Sequence, residues 1–137
     1  MSDIQQVLHE FKNNLIAFID ELIDQFPREP DLIIARIYLK DQTDIKDVME
    51  IFTHNINKND QIIKKMLKER NEVYFLENNS IFENVDKTKL AYFKKIWRSP
   101  DLDKENKNII WKWIDSFIFF SDKYIKLKTT PSEVVVA

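Results

Sequence analysis

Not one glycine occurs among the 137 residues, where a folded domain spends about 7% of its positions on that residue. Glycine supplies positive φ and close backbone approach. Without it the chain cannot build a Walker phosphate loop, a dinucleotide fingerprint, a nucleophile elbow or an EF-hand turn. Its turns must be made by proline, or by asparagine, the commonest non-glycine residue in left-handed geometry. What remains is a helix-rich chain with no loop chemistry written on it.

The length fits one domain and buries a core without disulfide or metal staples. At 44% hydrophobic, 32% charged and 12% aromatic, the chain carries core-forming residues that a disordered one lacks. Cysteine is absent, so composition selects no redox compartment. The start, Met1-Ser2-Asp3-Ile4-Gln5-Gln6, lacks a secretory signal's basic and apolar regions. No stretch reaches the roughly 18 to 20 uncharged apolar residues of a membrane span. A protein neither secreted nor integral to a membrane is expected. The net charge of -2 conceals a polarity, because residues 1–60 carry 12 acidic and 6 basic side chains whereas residues 61–137 carry 11 and 15. Such asymmetry solvates a helical surface or steers an anionic partner.

Ile4, Leu8, Phe11, Leu15, Phe18, Leu22 and Phe26 recur at alternating spacings of four and three, one helical stripe. Ser2 or Asp3 caps its start. Pro27 and Pro30 force a rigid corner, after which Asp31 caps a short helix to about Lys40. Thr43 or Asp44 caps a third helix carrying Ile45, Val48, Met49, Phe52 and Ile56, which ends in the asparagine-rich run up to Asp60. A fourth, from Asp60 to Glu77 with a break near Asn71, turns Ile62, Ile63, Met66 and Leu67 inward. Asn57, Asn71, Asn78 and Asn79 are expected at the left-handed turns. A fifth helix after Asp86 carries Leu90, Phe93, Ile96 and Trp97. The last, capped by Asp103, turns Ile110, Trp113, Ile114, Phe117, Phe120 and Tyr124 inward. The expected fold is an all-α, single-domain bundle of about five or six helices over residues 1–128, with an extended or flexible tail over 129–137. Phe11, Leu15, Phe18, Leu22, Phe93, Trp97, Ile110, Trp113, Ile114 and Phe117 are expected in one buried cluster.

No catalytic or metal-binding pattern is complete in the sequence. His9 and His54 fall on different helices, and zinc needs three or four nitrogen or sulfur ligands. The run Asp101-Leu102-Asp103-Lys104-Glu105 begins like a calcium loop, but Asn106 stands where glycine is needed and Lys112 where the bidentate glutamate belongs. Asp41, Asp44 and Asp47 are accounted for by a helix start. Ser80, Ser116 and Ser121 have no histidine at triad spacing. The expectation is a non-enzyme without cofactor or metal.

Two binding surfaces stand out instead. Lys87, Lys89, Lys94, Lys95 and Arg98 bracket Tyr92, Phe93 and Trp97 in a stretch with no acid, a pattern that can track a phosphate backbone. Lys64, Lys65, Lys68, Arg70, Lys123, Lys126 and Lys128 extend it, although an acidic chain is an unusual nucleic-acid binder. Beyond Pro131, the apolar end Val134-Val135-Val136 can pair with a partner's sheet edge or fill its groove.

The segment Phe18-Ile19-Asp20-Glu21-Leu22-Ile23-Asp24-Gln25-Phe26-Pro27, the run Asn78-Asn79-Ser80-Ile81-Phe82 and the final Asp103-Lys104-Glu105-Asn106-Lys107-Asn108-Ile109-Ile110-Trp111-Lys112-Trp113-Ile114 together resemble small, uncharacterised helical proteins of nucleocytoplasmic large DNA viruses. The likeness spans about residues 11–126, with Trp97 and Trp111 where that pattern places them. It implies a virion component or late-gene accessory, located in the particle, the host cytoplasm or the virus factory. Its partners would be viral or host proteins, capsid components among them. On this footing the chain is expected to be a protein–protein interaction module, a minor capsid-type structural or assembly component. The alternative is a nucleic-acid-associated accessory in transcription or genome packaging.

Overall fold

The computed structural model describes residues 2–77 and 87–129, and of Lys89 the backbone alone. Among them run six helices: α1 Asp3–Gln25, α2 Pro30–Asp41, α3 Ile45–Lys68, α4 Glu72–Glu77, α5 Lys87–Trp97 and α6 Lys104–Thr129. No strand occurs among the described residues, so the chain is the all-α bundle that the periodicity predicts. Its contacts sort into two compact units, residues 1–53 with 116–137, and residues 54–115. The divide falls inside α3 and α6, each of which supplies a stretch to both.

In the first unit, α1 opens with a reciprocal cap. The Gln5 N–H donates to Ser2 Oγ at 3.1 Å and the Ser2 N–H to Gln5 Oε1 at 3.0 Å, satisfying two otherwise orphaned donors. Val7, Leu8 and Phe11 are buried, while Leu15, Phe18 and Leu22 are half-buried. Phe26 ends the helix. The corner then differs from expectation, because Pro30 itself opens α2 with Glu29 at the cap position, and Asp31 lies inside the first turn. Proline suits that place, where its missing N–H would have found no helical partner. α2 returns antiparallel to α1: Arg36 pairs with Asp20, and Lys12 Nζ donates to the carbonyl of Lys40 at 2.9 Å, a cation at the negative end of the helix. The Phe11 ring lies 6.1 Å from Phe52 and 6.0 Å from Phe117, with Phe18 5.6 Å from Phe117. Beside them the hydroxyls of Thr53 and the buried Ser121 meet at 2.8 Å.

The second unit is built on aromatics. Phe75 from α4 meets Phe93, Trp97 and Trp111 at ring distances of 5.9, 5.3 and 5.4 Å, and the two tryptophans meet edge-on at 5.4 Å. Edge-to-face rings favour one another beyond the area they bury. The ten residues expected in one cluster therefore divide between the units, Phe11, Leu15, Phe18, Leu22 and Phe117 in the first and the others in the second. Trp111 rather than Trp113 is the buried tryptophan of α6.

The turns also correct the expectation. Left-handed φ occurs at Asn59, Asp60, Gln61 and Arg70, not at Asn57 or Asn71, while Asn78 and Asn79 lie outside the described residues. Arg70 stands where a helix that ends in left-handed geometry usually places glycine: its N–H reaches the Leu67 carbonyl and the Asn71 N–H reaches that of Met66, both at 3.0 Å, the Schellman pattern. Asparagine acts here through its side chain. Asn71 Oδ1 accepts the Tyr74 N–H at 3.0 Å to start α4, and Asn57 Oδ1 accepts from Gln61 Nε2 at 3.2 Å. Asp44 and Asp103 cap α3 and α6 as expected, accepting the N–H of Lys46 and of Asn106 at 2.9 and 2.8 Å.

Candidate functional site

The aromatic and basic segment on α5 parts company with itself. Trp97 is buried and Phe93 half-buried in the aromatic cluster, while Lys87, Lys95 and Arg98 are exposed and Lys94 is half-buried. The amphipathic helix turns its large rings to the core, and Lys87, Lys95 and Arg98 to water. The buried Trp97 thus offers no face on which a base could stack, and stacking is what carries sequence-tolerant single-strand binding. Of the cations that would extend this surface, Arg70 pairs with Asp115 at 3.4 Å and Lys128 with Glu50 at 2.9 Å. The Lys89 side chain and the tail residues Val134, Val135 and Val136 lie outside the described residues.

Two carboxylates are each held by a pair of donors, one from an aromatic side chain and one from a lysine. Glu50 Oε1 accepts from the Tyr124 hydroxyl at 2.8 Å and from Lys128 Nζ at 2.9 Å, and that ammonium lies 5.4 Å from the tyrosine ring centre. Glu72 Oε1 accepts from the Trp97 indole at 2.8 Å and from Lys107 Nζ at 3.1 Å, with Lys107 5.4 Å from the indole. Lys128 foremost, and Tyr124 with it, holds Glu50 below the usual carboxylate range. The Trp97 donor, then Lys107, does the same to Glu72. Burial first, and the neighbouring Glu50 second, pushes the Tyr124 hydroxyl up to about 12. All three shifts lead away from neutrality, the opposite of what a general acid or base needs. These groups clasp helices together.

His9 is exposed on α1 with its Nε2 3.2 Å from Asn13 Nδ2. It lines a shallow open depression with Gln5, Leu8, Lys12 and Ile45. His54 is exposed one turn before the irregular stretch of α3. Among the described residues no three histidine or acidic side chains converge as metal ligands, and none of the described helices is long and apolar enough to cross a membrane.

The surface that sequence reasoning missed is on α2. Leu39 is buried and Leu32 half-buried on the side facing α1, yet Ile33, Ile34, Ile37 and Tyr38 remain 46, 60, 49 and 58% exposed. Spaced at one and four residues, they share the opposite face of one helix. A lone exposed leucine means nothing, but four large apolar side chains on one helix face form the kind of patch that marks an interaction site. The signal was available, since Pro30–Asp41 reads apolar around most of its circumference, and such a helix belongs between two partners. Set against protein-family models, curated proteins and solved structures, the chain finds no match.

Proposed function

We propose that this protein is a non-enzymatic, helical protein–protein interaction module that binds through the outer face of α2. The observation that carries the reading is the apolar stripe Ile33, Ile34, Ile37 and Tyr38, on a helix tied to α1 by the Arg36–Asp20 pair and by Lys12 at the carbonyl of Lys40. A helix that presents apolar anchors at one-turn spacing is a recurrent recognition element. The narrower role, a minor capsid-type or assembly component of a large DNA virus particle, is supported by the sequence resemblance around Phe26-Pro27, Trp97 and Trp111. A photo-crosslinking amino acid placed at Ile34 should give covalent protein adducts in the producing cell, whereas the same group at the exposed Lys112 should not. Equal yields at the two positions refute the α2 reading. Mass spectrometry of purified particles tests the viral role, which fails if peptides of this chain are absent.

A further inference from the structure

We infer that the partner of the α2 face is a second copy of this chain, docked antiparallel through the same face. The inference rests on the contact reading above and names its occupant. At 100° per residue, Pro30, Ile34, Ile37 and Asp41 fall near one line along the outside of α2, with Ile33 and Tyr38 flanking it. A twofold axis across the middle of the helix brings Ile34 of one copy onto Ile37 and Tyr38 of the other. The same operation carries Asp41 to the opposing Pro30 end and Lys40 to the side of Glu29.

Each of those meetings is complementary. Apolar side chains cover apolar side chains. Asp41 places a carboxylate at the positive end of the opposing helix, an end where Glu29 supplies no side-chain cap. Lys40 meets an acid. A parallel alignment would instead set Asp41 on Asp41 and stack the two helix dipoles head to head. The antiparallel alignment is thus the twofold arrangement in which a single face satisfies itself at both ends.

The face is also small. Twelve residues make a helix about 18 Å long and about 10 Å wide, short of the roughly 800 Å² per partner of a standard stable interface. The copies should therefore exchange, with dimer at high concentration and monomer on dilution.

Sedimentation equilibrium on the full chain, from about 5 to about 500 µM, should show the mass rising from one chain toward two, the weak regime expected of so small an interface. Ile34→Asp should hold the mass at one chain throughout with an unchanged helical circular dichroism spectrum, since that side chain is 60% exposed and not needed by the core. The alignment has its own readout, because the chain has no native cysteine. Pro30→Cys and Asp41→Cys chains, mixed and oxidised, should join to each other. Like sites lie about 16 Å apart in this arrangement, beyond disulfide reach. A wild-type chain that stays monomeric throughout, or cross-links that form only between like sites, overturns the proposal. If a monomeric chain still gives α2 adducts in the cell, only the second copy falls; if adducts fail as well, the contact reading falls with it.

Discussion

Trp97 is the residue on which the second unit can be tested most sharply, because its ring and its N–H do separate things. The side chain is 1% exposed, packed against Phe75 and Trp111 at 5.3 and 5.4 Å, and its indole donates to Glu72 at 2.8 Å. Trp97→Ala removes both and leaves a cavity, at a cost of about 3 to 5 kcal/mol. A chain of this length has a total stability on the order of 7 to 20 kcal/mol. At roughly 3 to 4 °C per kcal/mol for this size, the midpoint should fall by about 10 to 20 °C. Trp97→Phe keeps most of the ring and deletes the donor. A hydrogen bond to a charged group is worth about 1.5 to 3 kcal/mol, and the low end applies because the Glu72 side chain is 45% exposed and retains Lys107. Glu72→Gln keeps an acceptor for the indole and loses the part-exposed Lys107 ion pair, worth about 0 to 1 kcal/mol. Thermal melts by circular dichroism at the helical minimum, paired with urea titrations, should rank the variants Ala, Phe, Gln from most to least damaging. A Trp97→Ala midpoint within about 2 °C of wild type would refute the packing argument. A Trp97→Phe loss equal to that of alanine would show that the ring contributes nothing.

Stability should be flat near neutral pH and fall at both extremes. Glu50 and Glu72 sit below the ordinary carboxylate value in the fold, so their contribution is complete above about pH 4.3 and is lost as the pH falls through the lowered folded values. Glu50→Gln with Glu72→Gln should flatten the acid limb of the urea midpoint; an unchanged limb would place it elsewhere. Tyr124 rises to about 12 from about 10 in the unfolded chain, so its contribution is complete below the lower value and is lost as the pH climbs through the upper one. Tyr124→Phe should remove that alkaline loss. Arg70→Gly should raise the melting midpoint by a few degrees, because glycine relieves a left-handed penalty of roughly 1 to 2 kcal/mol while the lost Asp115 pair, exposed on both sides, is worth about 0 to 1 kcal/mol. Arg70→Ala keeps the penalty, loses the pair and should not stabilise; if both variants behave alike, the backbone account of this turn is wrong.

Signals local to the backbone were legible in the sequence. Ser2, Asp44 and Asp103 cap where their side chains say they should, and the proline pair marks the corner after Phe26. Facing was harder. In α6 the expected stripe through Ile110, Trp113, Phe117 and Phe120 is rotated by roughly 60° at 100° per residue, so that Trp111, Ile118 and Ser121 come in and Trp113 and Phe120 move to the margin. Ser121 is the reason. Its hydroxyl is fully buried because Thr53 satisfies it, and a polar residue with a partner on a distant helix carries no mark in a count of apolar positions. The outer face of α2 was hidden differently, since a helix apolar on two sides shows a weak moment and reads as unremarkable until one side is seen to be covered.

A chain without glycine also has to turn inside α3. Asn59, Asp60 and Gln61 adopt left-handed φ of 53, 59 and 63° in succession after an extended Lys58. Left-handed geometry costs an ordinary residue roughly 1 to 2 kcal/mol, less for asparagine and aspartate, so Gln61 bears most of the strain. Strain of this kind persists only where the surroundings over-determine the backbone. Ile56 and Ile63, 0 and 1% exposed, fix the chain before and after the turn, and the Gln61 amide ties back to Asn57 across it. Asn59, Asp60 and Gln61 are themselves exposed, where water can meet the backbone groups that the interrupted helix leaves open. The break is thus held by burial on its flanks, and the residues that adopt it face water.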